Sequence, residues 1–584
     1  MSNRSTNTIA IILLGFLFVI SIFSVMGDSL TFDEKAHLPA GYSYVKKLDM
    51  RLNPEHPPLI KSLSGVPLLF MKNINFPADS PSWKNKTNAQ WSFGNEFLYE
   101  SNNPAEKMIF WGRFSMIIIL LLLGYCIFKI TQKKFGNKAG LISLALFAFS
   151  PTFIAHGRLV TTDIGGAFGI FIATYFFVKF LKNNTRKNLI ISGIILGIAQ
   201  LLKFTSAFLI PFFIIIGFFW WWVKKEKLFA IMKRTILVFV IAFLVIGAVY
   251  QIHIWNYPQQ KQIHDIINIS NKYNFEPLLK NTLVWMANKS IFRQYAHYFT
   301  GVSFIAKRVI GGNTTYFLGE ISASGWPLYF PLVYLVKVPL SFHLFTLIAL
   351  GYGILKTIKS DTKKNLSLFK SWVKNNLFVF SALIFVIYYW ISSLNSALNI
   401  GIRHLLPIFP FIFFLVGSYV SKWIKSPERK WKYYLVIGLI LFQAFSVIKV
   451  YPHFLSYFNE AIGGPNKGHK YTVGSNLDWG QDLRRLKNWT EEENIDKIYI
   501  DYFGGSDINY YFSNESFEGW WGTRNPEELP DGSYLAVSTT FLKQGQGKPS
   551  PTFDGDTGYY NWLKKYEPIK KIGNSIFIFK INKN

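Results

Sequence analysis

The chain has 584 residues, 50% of them hydrophobic and 18% aromatic, with a mean hydropathy of +0.21. That excludes an ordinary soluble domain and predicts repeated bilayer crossings, since each helical span needs roughly 20 apolar residues. The net charge of +29, from 62 Lys+Arg against 33 Asp+Glu, would suggest nucleic acid in a soluble protein, but here the cations gather in short loops between apolar stretches.

About eleven spans are predicted: 9–27, 109–130, 139–156, 163–181, 188–204, 206–223, 235–254, 328–355, 377–393, 401–421 and 433–450. The first has only Arg4 as a charged flank and no small-x-small cleavage site before Asp28, so it reads as a retained span and not a signal peptide. Cys126, in the second, reads as a small buried apolar residue. The connections at 131–138, 182–187, 224–234, 356–375 (with Lys359, Lys363 and Lys364) and 422–432 are basic, and the intervening ones are not. Positive loops stay cytoplasmic, which puts the N-terminus inside and the segments 28–108, 255–327 and 451–584 outside.

In the first outer segment, Asp33-Glu34 falls where the chain re-emerges from the membrane, and carboxylates at that boundary can act as bases. Asp33 and His37 are four apart and would share a helix face. Pro57-Pro58 can open a helix, and 58–71 reads as amphipathic and lying on the membrane surface. Asn103-Pro104-Ala105-Glu106 reads as a capped start of the second span. The second outer segment ends Gly325-Trp326-Pro327-Leu328-Tyr329, whose aromatics suit an interfacial belt. Residues 1–450 form the membrane domain. Residues 451–584, with β-type runs at 497–503, 534–538 and 575–581 and a helical pattern over 479–493, predict a small α/β domain.

Five charged sites lie where a bilayer would tax them: Arg113, Asp163, Lys203, Lys337 and Arg403-His404. Each deeply placed charge costs roughly 2.5–3.5 kcal/mol on insertion scales. By the predicted topology all face outward. Carboxylates and cations at one interface describe a site for an anionic, membrane-held substrate, with Arg and Lys holding a phosphate and Asp acting on a hydroxyl.

The run Phe32-Asp33-Glu34-Lys35-Ala36-His37 with Asn53-Pro54-Glu55-His56-Pro57-Pro58-Leu59 resembles the opening of bacterial family-39-type glycosyltransferases of the GT-C superfamily, akin to protein O-mannosyltransferases and lipid A aminoarabinose transferases. Gly325–Pro331 with Lys337-Val338-Pro339, Tyr457–Pro465 and Ser475–Asp482 fit the same subfamily, although Pro327 stands where a second aromatic is usual. The resemblance implies a polyprenyl-phosphate sugar donor used on the outer face of a bacterial cytoplasmic membrane, with a protein, lipid or glycan acceptor and no nucleic-acid partner. It makes Asp33 the general base, Glu34 its support and Asp163, after Arg158, the second acid. Lys203 and Arg403 would bind the donor phosphate, with Arg158, His404 and Lys337 as further candidates. His37, His56, Arg113, Glu320 and Asp478 are candidate substrate contacts.

One displacement would invert the anomeric carbon, so no second nucleophilic carboxylate is required. No cofactor is expected. Three outward carboxylates would admit a divalent metal, but none has strong ligand spacing. The competing readings are a ligase moving glycans from undecaprenyl pyrophosphate, a lipid or sugar transporter, and a scaffold that binds polysaccharide. A transporter would place charges near the bilayer midplane on two related halves, which the chain lacks.

Overall fold

The apolar stretches become helices because a bilayer leaves backbone groups no partner outside the helix itself. The computed structural model describes residues 2–358, 366–427 and 429–583, so Lys359, Lys363 and Lys364 of the predicted basic loop lie outside the described residues. Among the described residues, nine helices are long and apolar enough to cross a membrane. The pair Asn137–Ala148 and Pro151–Gly157, bent by 63°, makes a tenth. The remaining predicted stretch, 188–204, is a helix over Arg186–Leu202, at 17 residues slightly shorter. The chain is a polytopic α-helical membrane protein with a small C-terminal α/β unit.

The predicted span 328–355 breaks in two. Tyr329–Lys337 and Leu340–Ile358 are separate helices, and only the second meets the length of a span. The break follows from Pro339, which pushes Val338 into extended geometry (φ −99°, ψ 139°). Cys126 is only part-buried, not enclosed.

The segment 28–108, the first one predicted to lie outside, folds onto the bundle. Glu34–Lys47 packs on Pro58–Gly65, which rests in turn on the long helix Ala105–Phe135. The expected surface helix 58–71 is α-helical only to Gly65, continues as a 3₁₀ turn over Val66–Phe70, and is mostly buried in its first two turns. Asn103 does not cap the next helix. Its amide donates to the carbonyls of Asn75 (2.8 Å) and Phe97 (2.6 Å) and so closes the loop instead.

The second outer segment forms three helices, Gln259–Lys272, Pro277–Ala287 and Arg293–Gly311, around their own apolar core of Ile266, Ile269, Leu283 and Phe304. A hairpin follows, β1 (Thr315–Phe317) and β2 (Glu320–Ser322). Tyr329 does not sit in an interfacial belt. It is buried, and its hydroxyl accepts from the Asn476 amide at 3.0 Å.

The C-terminal unit has a five-stranded mixed sheet built from β3 (Ile498–Asp501), β4 (Phe517–Gly519), β5 (Ser533–Ser538), β7 (Lys570–Ile572) and β8 (Ile576–Ile581) in the order β4-β3-β5-β8-β7. The parallel pair β3–β5 aligns Ile500 with Ala536, and the antiparallel pair β5–β8 aligns Ala536 with Ile578. The short β6 (Lys548–Pro549) leaves this sheet and pairs in parallel with β2, which stitches the C-terminal unit to the second outer segment. The helix expected over 479–493 begins at Leu483, because Trp479–Asp482 form a turn at Gly480.

Candidate functional site

Asp33 stands one residue before the helix Glu34–Lys47 and is the residue from which that helix starts. The strand-like approach to it is held by the C-terminal unit: Ser29 N donates to Gln481 O and Phe32 N to Trp479 O, both at 2.9 Å. Arg403 comes from the opposite side, in the 3₁₀ turn Ile402–Ile408. The turn needs Gly401, with φ +92° and no room for a Cβ, which would lie 2.8 Å from Ser475 Oγ. Arg403 Nη1 donates to Asp33 Oδ2 at 2.6 Å. The guanidinium lies 4.2 Å from the centre of the Trp479 ring, a stacking that holds its plane. Trp479 is held in its turn by Gly480 (φ +93°), whose Cβ would lie 2.4 Å from Gly504 Cα.

Asp163 opens the helix Asp163–Lys182 beside this pair. Lys203, in the extended link between Arg186–Leu202 and the next helix, donates to Asp163 Oδ1 at 2.6 Å. Arg403 Nη1 also lies 3.6 Å from Asp163 Oδ2. Two acids and two cations therefore form one connected cluster. Asp33 and Arg403 line a cavity of about 280 Å³ between the membrane domain's connecting segments and the C-terminal unit, with Arg308, Phe32, Phe503 and Thr540 on its walls.

Burial raises the Asp33 carboxyl, but Arg403 and His37 more than offset it and hold the group below its ordinary value of 3.8. Burial lowers His37, although Asp33 opposes this, and it lowers His56 further with help from neighbouring cations. Both rings are thus neutral near pH 7. They meet edge to face with centroids 5.0 Å apart. His37 Nδ1 lies 2.9 Å from the Val160 carbonyl, which assigns its proton to Nδ1.

The structure brings together Asp33, Asp163, Lys203 and Arg403, with His37 and His56 alongside. It does not bring Glu34 into the cavity. Glu34 is fully buried and accepts from Arg113 Nε (2.9 Å) and Nη2 (2.6 Å), Val160 N (2.9 Å), and Thr31 N (2.9 Å) and Oγ1 (2.8 Å). Arg113 is saturated by Glu34 and the carbonyls of Asp28 and Ser29. Arg158 pairs with Asp28 Oδ2 at 2.8 Å. Lys337 donates to the carbonyls of Leu455 (2.8 Å) and Asn476 (2.5 Å), a brace and not a free cation. The His404 ring stacks on Phe330 at 4.9 Å. Glu320 is exposed on β2 and does not line the cavity. Asp478 accepts from Thr540 N at 2.8 Å behind the cavity wall, and burial pushes its carboxyl up to about 7.

Sequence reasoning passed over Trp479, Arg308 and the charged knot of Asp28, Arg485 and Asp482. Trp479 stood inside the Ser475–Asp482 motif, and Asp28 was an acid at the mouth of the first span, so both carried a signal. In that knot Arg485 donates to Asp28 Oδ1 at 2.6 Å and to Asp482. Burial raises Asp28, but Arg158, Arg485 and Arg113 outweigh it and leave the carboxyl lowered. Among the described residues, no three His, Cys, Asp or Glu side chains are placed to hold a metal ion.

Residues 105–250 match the family model described as dolichyl-phosphate-mannose-protein mannosyltransferase. The matched part contains Arg113, Arg158, Asp163 and Lys203, and it agrees with the resemblance to family-39-type GT-C glycosyltransferases drawn from the motifs. No curated protein matches the chain. Among solved structures, the chain is similar to ArnT from Cupriavidus metallidurans bound to undecaprenyl phosphate (10% identity, 97% of each chain, TM-score 0.45). It is also similar to the oligosaccharyltransferase AglB from Archaeoglobus fulgidus in complex with an inhibitory peptide and a dolichol-phosphate (12% identity, 96% of this chain and 72% of that one, TM-score 0.46). A third likeness is the Saccharomyces cerevisiae Pmt1-Pmt2 complex bound to the sugar donor (18% identity, 44% of this chain and 34% of that one, TM-score 0.32). TM-scores below 0.5 leave the reading of the site to its own geometry.

Proposed function

We propose that the chain is a membrane glycosyltransferase that moves a sugar from a polyprenyl-phosphate donor to an acceptor hydroxyl on a protein, lipid or glycan. The reaction takes place at the outer face of a bacterial cytoplasmic membrane, with the N-terminus on the cytoplasmic side. The observation that carries this reading is the four-residue cluster of Asp33, Asp163, Lys203 and Arg403 beside a cavity at the edge of the helical bundle. The family match over residues 105–250 supports the same class.

In this reading the acceptor oxygen attacks the anomeric carbon while the bond from that carbon to the phosphate oxygen breaks. The acceptor proton passes to Asp33, and the electron pair leaves on the polyprenyl phosphate. Arg403 and Lys203 neutralise the departing charge, and Asp163 holds both cations in place. A single displacement inverts the anomeric carbon.

The Asp33–Arg403 pair supplies a gate for the base. Alone, Arg403 holds the carboxyl low and therefore weakly basic. A donor phosphate would share the guanidinium, and burial would then raise Asp33 and strengthen it as the acceptor arrives. We propose that no metal is needed, since Arg403 and Lys203 already bring to the two acids the positive charge that a metal would supply.

The alternative is a ligase that uses a pyrophosphate-linked donor. Arg308, which lines the cavity together with Arg403 and whose Nη1 also donates to Glu55 Oε2 at 3.1 Å, favours it. The test is turnover of radiolabelled polyprenyl-monophosphate and pyrophosphate donors by the full chain in nanodiscs, with Asp33→Asn in parallel. Release of polyprenyl phosphate from the monophosphate donor, lost in the variant, supports the transferase and its base. Turnover of the pyrophosphate donor alone supports the ligase.

A further inference from the structure

A second cavity, of about 400 Å³, lies at the outer end of the last span, between the helix Lys430–Val450 and the loop Tyr457–Pro465. It shares no lining residue with the cavity of Asp33 and Arg403. Its volume falls in the range of small-ligand sites. Three features of its walls call for a ligand of defined chemistry.

The first is a carboxylate. Glu460 Oε1 accepts from Ser446 Oγ at 2.7 Å, while Oε2 is buried and makes no hydrogen bond. Tyr457 on the same wall is buried, with its hydroxyl beside Ser446. Buried polar atoms without partners are costly, so a ligand bearing N–H donors would satisfy the site. The second is a cation: Lys449 is exposed and forms no ion pair among the described residues. The third is an apolar approach. Leu441, Phe445 and Ile448 on the same helix are 63%, 57% and 62% exposed, and this face leads along the span to Lys449. Residues at i, i+4 and i+7 share one side of a helix, so acyl chains laid on that face would deliver a headgroup to the cavity.

We propose that this cavity binds one phospholipid of the outer leaflet with a primary-ammonium headgroup. The ammonium meets Glu460 Oε2 and the Tyr457 hydroxyl, and the phosphate meets Lys449. A quaternary ammonium has no N–H to give Oε2, and an uncharged glycerol headgroup leaves Glu460 uncompensated, so both bind more weakly. The lipid would brace the two parts of the molecule, because the cavity wall is already tied to the bundle: Asn459 Nδ2 donates to the carbonyls of Leu335 (2.6 Å) and Val338 (2.9 Å).

The full chain, stripped of lipid in detergent, would be titrated with dioctanoyl phosphatidylethanolamine, phosphatidylcholine and phosphatidylglycerol, and separately with free phosphoethanolamine. Bound lipid is counted by native mass spectrometry and its effect read as a shift in unfolding temperature. The expected result is one tightly held phosphatidylethanolamine that raises the unfolding temperature and binds at least tenfold more weakly to Glu460→Gln and to Lys449→Gln. Equal retention of phosphatidylglycerol, or unchanged retention in the variants, overturns the proposal. Free phosphoethanolamine binding as tightly as the lipid overturns the lipid source. Should Glu460→Gln fail to fold, Lys449→Gln, on the exposed rim, decides the matter alone.

Discussion

Asp33 and Arg403, 370 residues apart in the chain, meet through a 2.6 Å charge-assisted hydrogen bond within the cluster they form with Asp163 and Lys203. The pair joins the segment after the first span to the tenth predicted span, so the proposed base and the proposed phosphate-binding cation are set by two distant parts of the fold.

Asp33→Asn should fold normally, since an amide oxygen can still accept from Arg403, yet lose turnover by roughly 100- to 10,000-fold, the usual scale of general-base catalysis. Because Asp33 is held below 3.8, it stays ionised through the acid range, and the falling limb of kcat/KM should lie below that value. A limb at pH 6 would point to another base. Turnover that survives in the variant would remove Asp33 from the chemistry while leaving the enzyme class intact.

Lys203→Met should act on the donor instead. A hydrogen bond to a charged group contributes about 1.5–3 kcal/mol, or roughly 10- to 150-fold in affinity. The donor KM should rise on that scale in steady-state assays, while the acceptor KM stays level. The substitution also removes the partner of Asp163 Oδ1 and leaves Arg403 as its remaining cation, so Lys203→Met combined with Asp163→Asn should be less damaging than the sum of the two.

Glu34→Gln should damage the fold before it touches the chemistry. Its carboxylate pairs with Arg113 where both side chains are 1% exposed or less. Breaking a buried pair by removing one partner costs about 3–5 kcal/mol. The expected outcome is a lower unfolding temperature and a smaller folded fraction by size-exclusion chromatography, with residual activity proportional to the folded protein. A well-folded but inactive Glu34→Gln would restore it to a role beside Asp33.

These contrasts show what the chain's own pattern can and cannot say. Charge at a span boundary is legible residue by residue, which is why Asp33, Asp163, Lys203 and Arg403 stood out. Which way each charge points is not. Asp33 and Glu34 are neighbours of the same kind, but the turn into the helix sends one to the cavity and the other into the core. Lys337 has the same composition signal as Lys203, yet it braces two carbonyls, because the chain breaks at Pro339 and brings Leu455 and Asn476 within reach. That break was signalled by Val338-Pro339 but masked by the apolar run around it. The long-range pairing of β2 with β6 had no local signal at all.

Asp478 offers a test in which the sign of a pH effect is set by burial. Its folded value is about 7, against 3.8 for the free side chain, with burial as the main cause. A carboxyl raised in the folded state contributes stability that is fully present below pH 3.8 and is lost as pH rises toward 7, because the unfolded chain ionises first. Asp28, Asp33 and Glu34 act in the opposite sense. Their lowered values give stability that holds above the ordinary carboxylate range and is lost as pH falls below it. Asp478→Asn keeps an oxygen to accept from Thr540 N and removes only the titration. The variant's unfolding temperature should therefore gain on that of the unaltered chain between about pH 4 and pH 7, and the gap should stay constant above pH 7. A gap that does not change with pH would mean that Asp478 is ionised throughout and that Oδ1, which makes no hydrogen bond in the fold, is compensated by a donor outside the chain.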